Sequence, residues 1–169
     1  RSLKWSKLLL NLLGNAIPAA LDLPPGEALR DRRAFRLERE AFAEACRVAA
    51  AEGVEIRDLP GYPVRLLRRL LLGLPLPLAH RLLFRALAGG RGGKLPSFLL
   101  DLRAGRPTEV AFLNGAVAAR AREHRLEAPV NAALTRLLEG LASGTLDRAW
   151  FRGRPDRLLE YVAAYAGNS

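Results

Sequence analysis

Three polar residues recur every four positions near the start of the chain: Lys7, Asn11 and Asn15. A four-residue step advances only about 40° around a helix, so the three side chains would form one stripe. Almost all of their neighbours in residues 4–20 are apolar, which is typical of a buried helix. An ammonium or carboxamide buried without a partner is costly, so the stripe must face protein, water or a ligand. It predicts either a pocket lined by a cation and two amides, or a solvent-facing stripe on a one-sided helix.

The same segment also has features of a secretory signal. Lys4 and Lys7 would form its positive region, ahead of a leucine-rich core and the small residues Pro18-Ala19-Ala20. Asn11 and Asn15 interrupt that core, and no initiator methionine precedes it. We therefore favour a helix of the folded protein. The chain has no methionine at all, which predicts that it is a piece of a longer protein.

A second group of candidate residues lies between positions 96 and 115. Ser97 and Thr108 both fit helix N-cap positions, which need no further function. Glu109 would lie in a first helical turn, where the helix dipole favours a carboxylate. Asn114-Gly115 in mid-helix is less easily explained, because it lowers helix propensity. The glycine would permit close approach of another backbone.

Other kinds of site have weaker support. His80 and His124 lie far apart without clustered carboxylates, so we expect no metal site. No nucleophile elbow surrounds Ser97, which argues against a serine nucleophile. The glycine cluster in residues 89–93 lacks the spacing of a dinucleotide fingerprint and a preceding strand, so it predicts a flexible connection. The single Cys46 shares a helix face with apolar residues, which predicts a buried core thiol.

Composition bounds the class of protein. A chain of 169 residues, half of them hydrophobic, suits one folded domain. One cysteine suits a reducing compartment, and no apolar run is long enough to span a membrane, so we expect a cytoplasmic protein. The net charge of +10 comes mostly from arginines spread along the chain, which favours attraction of small anionic substrates over nucleic-acid binding. A basic helical binding module without catalysis remains an alternative.

The pattern predicts an all-α fold, since no stretch alternates with period two. We expect a long helix with Asp31 as its N-cap and Gly53 at its C-terminal end, and with Glu38, Arg39 and Glu44 facing water. The other predicted helices cover residues 4–20, 64–72, 79–87, 98–104 and 109–125, and two more begin at Pro129 and near Pro155.

Two motifs resemble a known family. Residues 7–15, KLLLNLLGN, with Trp5 two positions before the lysine, resemble the start of the C-terminal domain of ketopantoate reductases. The run SFLLDLRAGRPTEVAFLNG at residues 97–115, followed by APVN at 128–131, resembles that family's second signature at roughly the correct separation. The resemblance covers essentially the whole chain.

The resemblance implies a fold and an activity. The fold would be an all-helical substrate and dimerisation domain, similar to the C-terminal domain of 6-phosphogluconate dehydrogenase. Residues 1–169 would form this single domain, following a dinucleotide-binding domain that the chain does not contain. The family reduces 2-dehydropantoate to pantoate with NADPH, on the way to pantothenate and coenzyme A. The cofactor would be held mainly by the preceding domain, a homodimer is a further expectation, and residues 1–169 alone would be inactive.

The resemblance also implies roles for five residues. Lys7 matches the catalytic lysine, and Glu109 matches the acidic residue of the site. Asn11 and Asn15 match the substrate-binding asparagines, and Ser97 matches a serine that hydrogen-bonds substrate. A lysine ammonium can stabilise the negative charge that hydride attack leaves on a ketone oxygen and can donate the proton, while a nearby carboxylate keeps it charged.

The chain departs from the family pattern at three positions. Phe98 replaces a common methionine, Ala111 replaces a frequent aspartate, and Arg125 stands where a glycine often ends the helix. None of these is a catalytic position. They leave open a second interpretation, in which the protein reduces a different 2-keto acid.

Overall fold

The computed structural model describes residues 1–89 and 95–167, and all the regular elements in this part of the chain are helices, with no β-strand. The predicted all-α fold is confirmed. The predicted connection at residues 89–93 lies almost entirely outside the described residues. The helices are α1 (Ser2–Leu12), α2 (Ala16–Leu21), α3 (Pro25–Ala28), α4 (Arg32–Ala51), α5 (Val64–Gly73), α6 (Leu76–Gly89), α7 (Ser97–Arg103), the 3-10 helix Glu109–Phe112, α8 (Asn114–Glu123), α9 (Pro129–Ser143), α10 (Arg148–Phe151) and α11 (Pro155–Gly167).

The first predicted helix is in fact two helices. α1 ends at Leu12, Gly14 adopts a left-handed φ of 64°, and α2 begins at Ala16. Pro18 explains the break, because in a continuous helix its ring would clash with the carbonyl four residues earlier. In α2 the proline lies in the first turn, where its missing N–H costs nothing. The prediction of one helix over residues 4–20, with Asn15 on the same stripe as Lys7, was therefore wrong.

Both α1 and α2 belong to the core. Leu9, Ile17 and Leu21 are completely buried. The start of α1 is fixed by Glu52, whose buried carboxylate accepts hydrogen bonds from Arg1 (2.8 Å), Trp5 (3.1 Å) and Arg120 (2.6 Å). A secretory signal that is cleaved off would not supply buried core residues, so this packing argues against that interpretation of residues 4–20.

The long helix α4 has the predicted ends. Asp31 is the N-cap and accepts hydrogen bonds from the N–H groups of Arg33 (2.7 Å) and Ala34 (3.4 Å). Gly53 follows the C-cap with a φ of 66°, as a glycine at the C′ position does. The predicted apolar face is buried, and burial raises the pKa of the Cys46 thiol to about 11. The core-thiol prediction for Cys46 is confirmed.

Two glutamates of α4 are buried, although the sequence pattern placed them in water. Glu38 accepts a hydrogen bond from the N–H of Gly14, at the break between α1 and α2. Glu44 lies at the N-terminus of α9, where its carboxylate accepts bonds from the N–H groups of Val130 and Asn131, both at 2.9 Å. Burial raises the pKa of Glu44, against the lowering effect of these bonds. The two carboxylates therefore connect distant helices instead of facing solvent.

The region predicted as one helix over residues 109–125 is also divided. Thr108 does act as an N-cap, and its hydroxyl accepts from the N–H of Val110 at 3.4 Å, but it caps a short 3-10 helix. Asn114-Gly115 then starts α8, so it does not lie in mid-helix. A Cβ on Gly115 would come within 3.3 Å of the Thr135 side chain, which accounts for the glycine by close packing of α8 on α9.

The C-terminal helices complete the core. α9 and α11 begin at the predicted prolines, and α11 packs on α9 and α4. Asp22, at the end of α2, anchors this region because its buried carboxylate contacts Arg103 (2.7 Å), Arg148 (3.6 Å) and Arg152 (3.0 Å). No helix in the described residues is long and apolar enough to cross a membrane.

Candidate functional site

An open cleft of about 600 Å³ lies beside α1. Lys7 and Asn11, one helical turn apart on α1, provide its polar groups apart from the Tyr62 hydroxyl. The remaining lining is apolar, and it consists of Leu10, Leu13, Leu59, Pro60, Pro63, Leu67 and Ala86 together with the ring of Tyr62. A mostly apolar pocket with a few convergent polar groups is the usual form of a small-molecule site.

Lys7 and Asn11 face the cleft because α1 buries its other side. Trp5, Ser6 and Leu9 are buried against the domain, whereas Lys7 and Asn11 are exposed. In the described part of the chain, no hydrogen bond or ion pair occupies the Lys7 ammonium or the Asn11 carboxamide. The two side chains are therefore available to a ligand.

Asn15 has a different environment. It is only 3% exposed, and both ends of its carboxamide are engaged. Its oxygen accepts from the N–H of Phe98 at 3.3 Å, and its nitrogen donates to the carbonyl of Asn11 at 3.3 Å. Asn15 thus connects the end of α1 to the start of α7. Direct contact between Asn15 and substrate stays a prediction.

Ser97 is held close to this connection by its neighbour Phe98. The structure makes Ser97 the first residue of α7, and Pro96 occupies the N-cap position without a side-chain bond. The predicted capping role of Ser97 was therefore wrong. The residue is exposed, and its hydroxyl has no hydrogen-bond partner among the described residues. This removes the structural explanation for the serine and leaves its hydroxyl free.

Glu109 is exposed at the start of the 3-10 helix, which packs on α8 and α9. Neither Glu109 nor Ser97 lines the cleft of Lys7 and Asn11. No ion pair joins Glu109 to Lys7 within residues 1–89 and 95–167. That the Glu109 carboxylate lies close enough to keep the Lys7 ammonium charged stays a prediction.

Sequence reasoning missed the apolar half of the cleft. Residues 58–63 lie outside the predicted helices, yet four of them line the cleft. Two prolines, a glycine and a tyrosine in six residues were the available signal, since such a segment forms a rigid turn with an aromatic side chain. Only the fold shows that this turn lies beside α1, where it forms part of the cleft wall.

His80 takes part in ordinary packing. His80 lies between Phe35 and Phe84, with ring centroids 5.0 Å from each, and its Nε2 lies 3.0 Å from the carbonyl oxygen of Leu29. Groups of three or more metal-ligating side chains are absent from the described residues.

A family model, "Ketopantoate reductase PanE/ApbA C terminal", matches residues 1–142. The chain belongs to this family. Lys7, Asn11, Asn15, Ser97 and Glu109 all lie within the matched part of this ketopantoate reductase domain.

Curated relatives support the family assignment. A 2-dehydropantoate 2-reductase of Halobacterium salinarum is 31% identical over 126 residues, covering 75% of this chain and 35% of that protein. One of Archaeoglobus fulgidus is 27% identical over 140 residues, covering 83% of this chain and 40% of that protein. The chain therefore spans about two fifths of the length of such ketopantoate reductases.

Solved structures show the same fold. A PanE/ApbA family ketopantoate reductase from Ralstonia eutropha superimposes with a TM-score of 0.66 at 26% identity, covering 85% of this chain and 42% of that one. A D-mandelate dehydrogenase solved with NADH and anilino(oxo)acetate gives a TM-score of 0.62 at 20% identity, covering 83% of this chain and 67% of that one. The second likeness is one of fold alone.

Proposed function

We propose that this chain is the substrate-binding and catalytic-residue domain of an NADPH-dependent 2-dehydropantoate 2-reductase of pantothenate biosynthesis. One observation carries the proposal: the unpaired side chains of Lys7 and Asn11 lie together on the wall of an open cleft. Relatives matched over this part of the chain are named 2-dehydropantoate 2-reductases.

Lys7 is the general acid in this proposal. As the carbonyl carbon of the substrate gains a hydride, negative charge develops on its oxygen, and a lysine ammonium beside that oxygen stabilises the charge. The ammonium then transfers a proton to the oxygen, which gives the alcohol and a neutral amine. Water in the open cleft restores the proton to the amine.

Asn11 and Ser97 hold the substrate. The Asn11 carboxamide offers both a donor and an acceptor, and the Ser97 hydroxyl offers one of each, as a hydroxylated keto acid requires. We propose that Glu109 completes the site and keeps Lys7 charged. Asn15 orients the helix that carries Ser97, because its carboxamide oxygen accepts a hydrogen bond from the N–H of Phe98. We also propose that Asn15 contacts the bound substrate.

The rest of the enzyme is part of the same proposal. A dinucleotide-binding domain would precede Arg1 in the complete protein and would hold NADPH, which supplies the hydride when bound. No described residue of this chain forms a strand, glycine loop and helix cradle for its phosphates, so we assign none of them to the cofactor. The enzyme would act in the cytoplasm, as a homodimer.

Replacement of Lys7 in the complete enzyme tests the proposal. Lys7→Ala is expected to lower kcat for 2-dehydropantoate by about a hundredfold or more, because general acid catalysis contributes at least that much. Lys7 is exposed, so circular dichroism and the Tm should stay close to those of the parent enzyme. Lys4→Ala is the matched control, since Lys4 is exposed on the same helix outside the cleft. Near-normal turnover in Lys7→Ala would rule out the role.

A further inference from the structure

A buried chain of three polar side chains connects α4, α9 and α8. Its members are Glu44 on α4, Asn131 on α9 and Asn114 on α8, and all three are buried. The nitrogen of the Asn131 carboxamide donates to Glu44 at 2.7 Å and to the carbonyl of Ala41 at 2.9 Å. The Asn131 oxygen accepts from the Asn114 nitrogen at 3.0 Å. Because the linked residues are 17 and 87 positions apart in the chain, these bonds fix the three helices relative to one another.

The orientation of both amides follows from α4. The carbonyl of Ala41 can only accept a hydrogen bond, so the nitrogen of Asn131 has to face it. The Asn131 oxygen is then the atom that meets Asn114, and it requires the nitrogen of that side chain. The Asn114 oxygen is left buried, without a hydrogen-bond partner among the described residues. This unsatisfied oxygen is unfavourable and offsets what the bond to Asn131 contributes, so stability alone does not account for an asparagine here.

Asn114 lies at the junction between the 3-10 helix and α8. Leu113 forms this junction, with a φ of −108° and a ψ of −85°. A Cβ on Gly115 would lie 3.6 Å from the carbonyl oxygen of Val110, so the first turn of α8 packs directly on the 3-10 helix. Val110 is the buried residue of that helix, whereas Glu109 before it is exposed. The position of Glu109 therefore depends on how the start of α8 is held.

We infer that Asn114 is a positioning residue for Glu109. Its bond to Asn131 holds the first turn of α8, and with it the 3-10 helix that begins at Glu109. The inference rests on the proposed function, because it takes Glu109 as the carboxylate that keeps Lys7 charged. Asn114 acts through Glu109 and does not contact substrate. A displacement of about 1 Å can lower turnover about a hundredfold, so a bond this far from the reacting atoms can control the rate.

The pH dependence of kcat for 2-dehydropantoate in the complete enzyme tests the inference. An ammonium beside a carboxylate keeps its proton to higher pH. Glu109→Gln should therefore move the alkaline fall of kcat to lower pH by at least about half a unit. Asn114→Ala should move it in the same direction and lower kcat about tenfold, with KM within about twofold. The double variant should shift the fall no further than Glu109→Gln does, because Asn114 acts through Glu109.

Two further variants separate positioning from stability. Val117→Ala is the matched control, because Val117 is completely buried about one turn further along α8 and has no polar group. It should lower the Tm at least as much as Asn114→Ala and leave the alkaline fall of kcat unchanged. Asn114→Ser serves if Asn114→Ala folds poorly. Serine suits the start of a helix, and its hydroxyl is one atom too short to replace the amide nitrogen.

The outcomes separate the inference from the proposed function. A shift in Glu109→Gln without one in the Asn114 variants would overturn the inference and leave the proposed function standing. An equal shift in Val117→Ala, or a larger shift in the double variant than in Glu109→Gln, would do the same. An unchanged profile in Glu109→Gln would overturn the proposed role of Glu109, and the inference with it.

Discussion

The polar residues of the first signature divide into free and engaged side chains. Lys7 and Asn11 end in an open cleft with no hydrogen-bond partner among the described residues, whereas the carboxamide of Asn15 is occupied at both ends. Substitution of a free group changes what the cleft binds, whereas substitution of an engaged one changes how two helices meet. The two asparagines should therefore differ in their effects, although the sequence spaces them equally.

Asn11→Ala in the complete enzyme should raise KM for 2-dehydropantoate by roughly 5- to 30-fold with little change in kcat. Its hydrogen bonds form in the ground state as well as the transition state, and the loss of one costs about 1–2 kcal/mol. Steady-state kinetics measure both constants, with Lys4→Ala as the exposed control on the same helix. A fall in kcat at constant KM would contradict this role.

Arg125 is in the left-handed region, with a φ of 56°, at the position where the resemblance implies a glycine. A side chain there costs about 1–2 kcal/mol, partly offset by the greater freedom that glycine has in the unfolded chain. Arg125→Gly should therefore stabilise the protein by about 0.5–1 kcal/mol in urea unfolding. Arg122→Gly, inside α8, is the matched control and should destabilise it by about 1 kcal/mol. Destabilisation by both variants would contradict the argument.

At the scale of the elements, local sequence signals predicted the ends of helices well. They predicted the long-range hydrogen-bond partners of side chains poorly. Asp31 and Gly53 fixed both ends of α4, because an N-cap and a C′ glycine act within a few residues. Glu38 and Glu44 were placed in water, because their partners Gly14 and Val130 are 24 and 86 residues away. No local pattern carries that information.

The candidate site shows the same limit. Two motifs in the sequence led to the five candidate residues, Lys7, Asn11, Asn15, Ser97 and Glu109. The sequence did not predict that these residues have different environments in the fold. Asn15 lies in the break between α1 and α2, and that break results from Pro18 together with Gly14. The apolar half of the cleft was missed entirely, because the turn that forms it meets α1 only through tertiary contacts such as the bond from Arg57 to Ser6.

Glu52 joins α1, α4 and α8, and it gives this contact a pH dependence. Burial alone would raise the pKa of Glu52, but hydrogen bonds from Arg120, Trp5 and Arg1 outweigh it and lower the pKa. A lowered pKa adds stability above the ordinary value near 4.5, and this stability is lost as the pH falls through the lowered value.

Glu52→Gln should therefore cost roughly 1–3 kcal/mol at pH 7, since hydrogen bonds to a charged group are the stronger kind. The difference in unfolding free energy between the parent and the variant should shrink towards zero below the lowered pKa. Urea unfolding at a series of pH values from 7 to 3 measures this difference. A gap that stays constant over the whole series would show that the charge of Glu52 contributes nothing.

At the scale of the whole molecule, the described residues supply an open cleft beside Lys7 and no phosphate cradle for a dinucleotide. The protein of residues 1–169 by itself should therefore be inactive as a reductase and should bind NADPH only weakly. Isothermal titration calorimetry of this protein with NADPH measures the affinity, and the complete enzyme is the positive control. Micromolar binding by residues 1–169 would contradict the expectation.

The match to the family ends at residue 142, but the buried core does not. Arg148 and Arg152 contact the same Asp22 carboxylate as Arg103, and the N–H of Gly153 donates to the carbonyl of Leu21 at 2.8 Å. The segment after residue 142 therefore closes onto α2, directly after the part of the chain that carries Lys7 and Asn11. In mechanical terms, the tail that the family model does not match is coupled to α2 through these contacts. A displacement of this tail would thus reach the end of α2 through Asp22 and Leu21, next in the chain to the helix that carries Lys7.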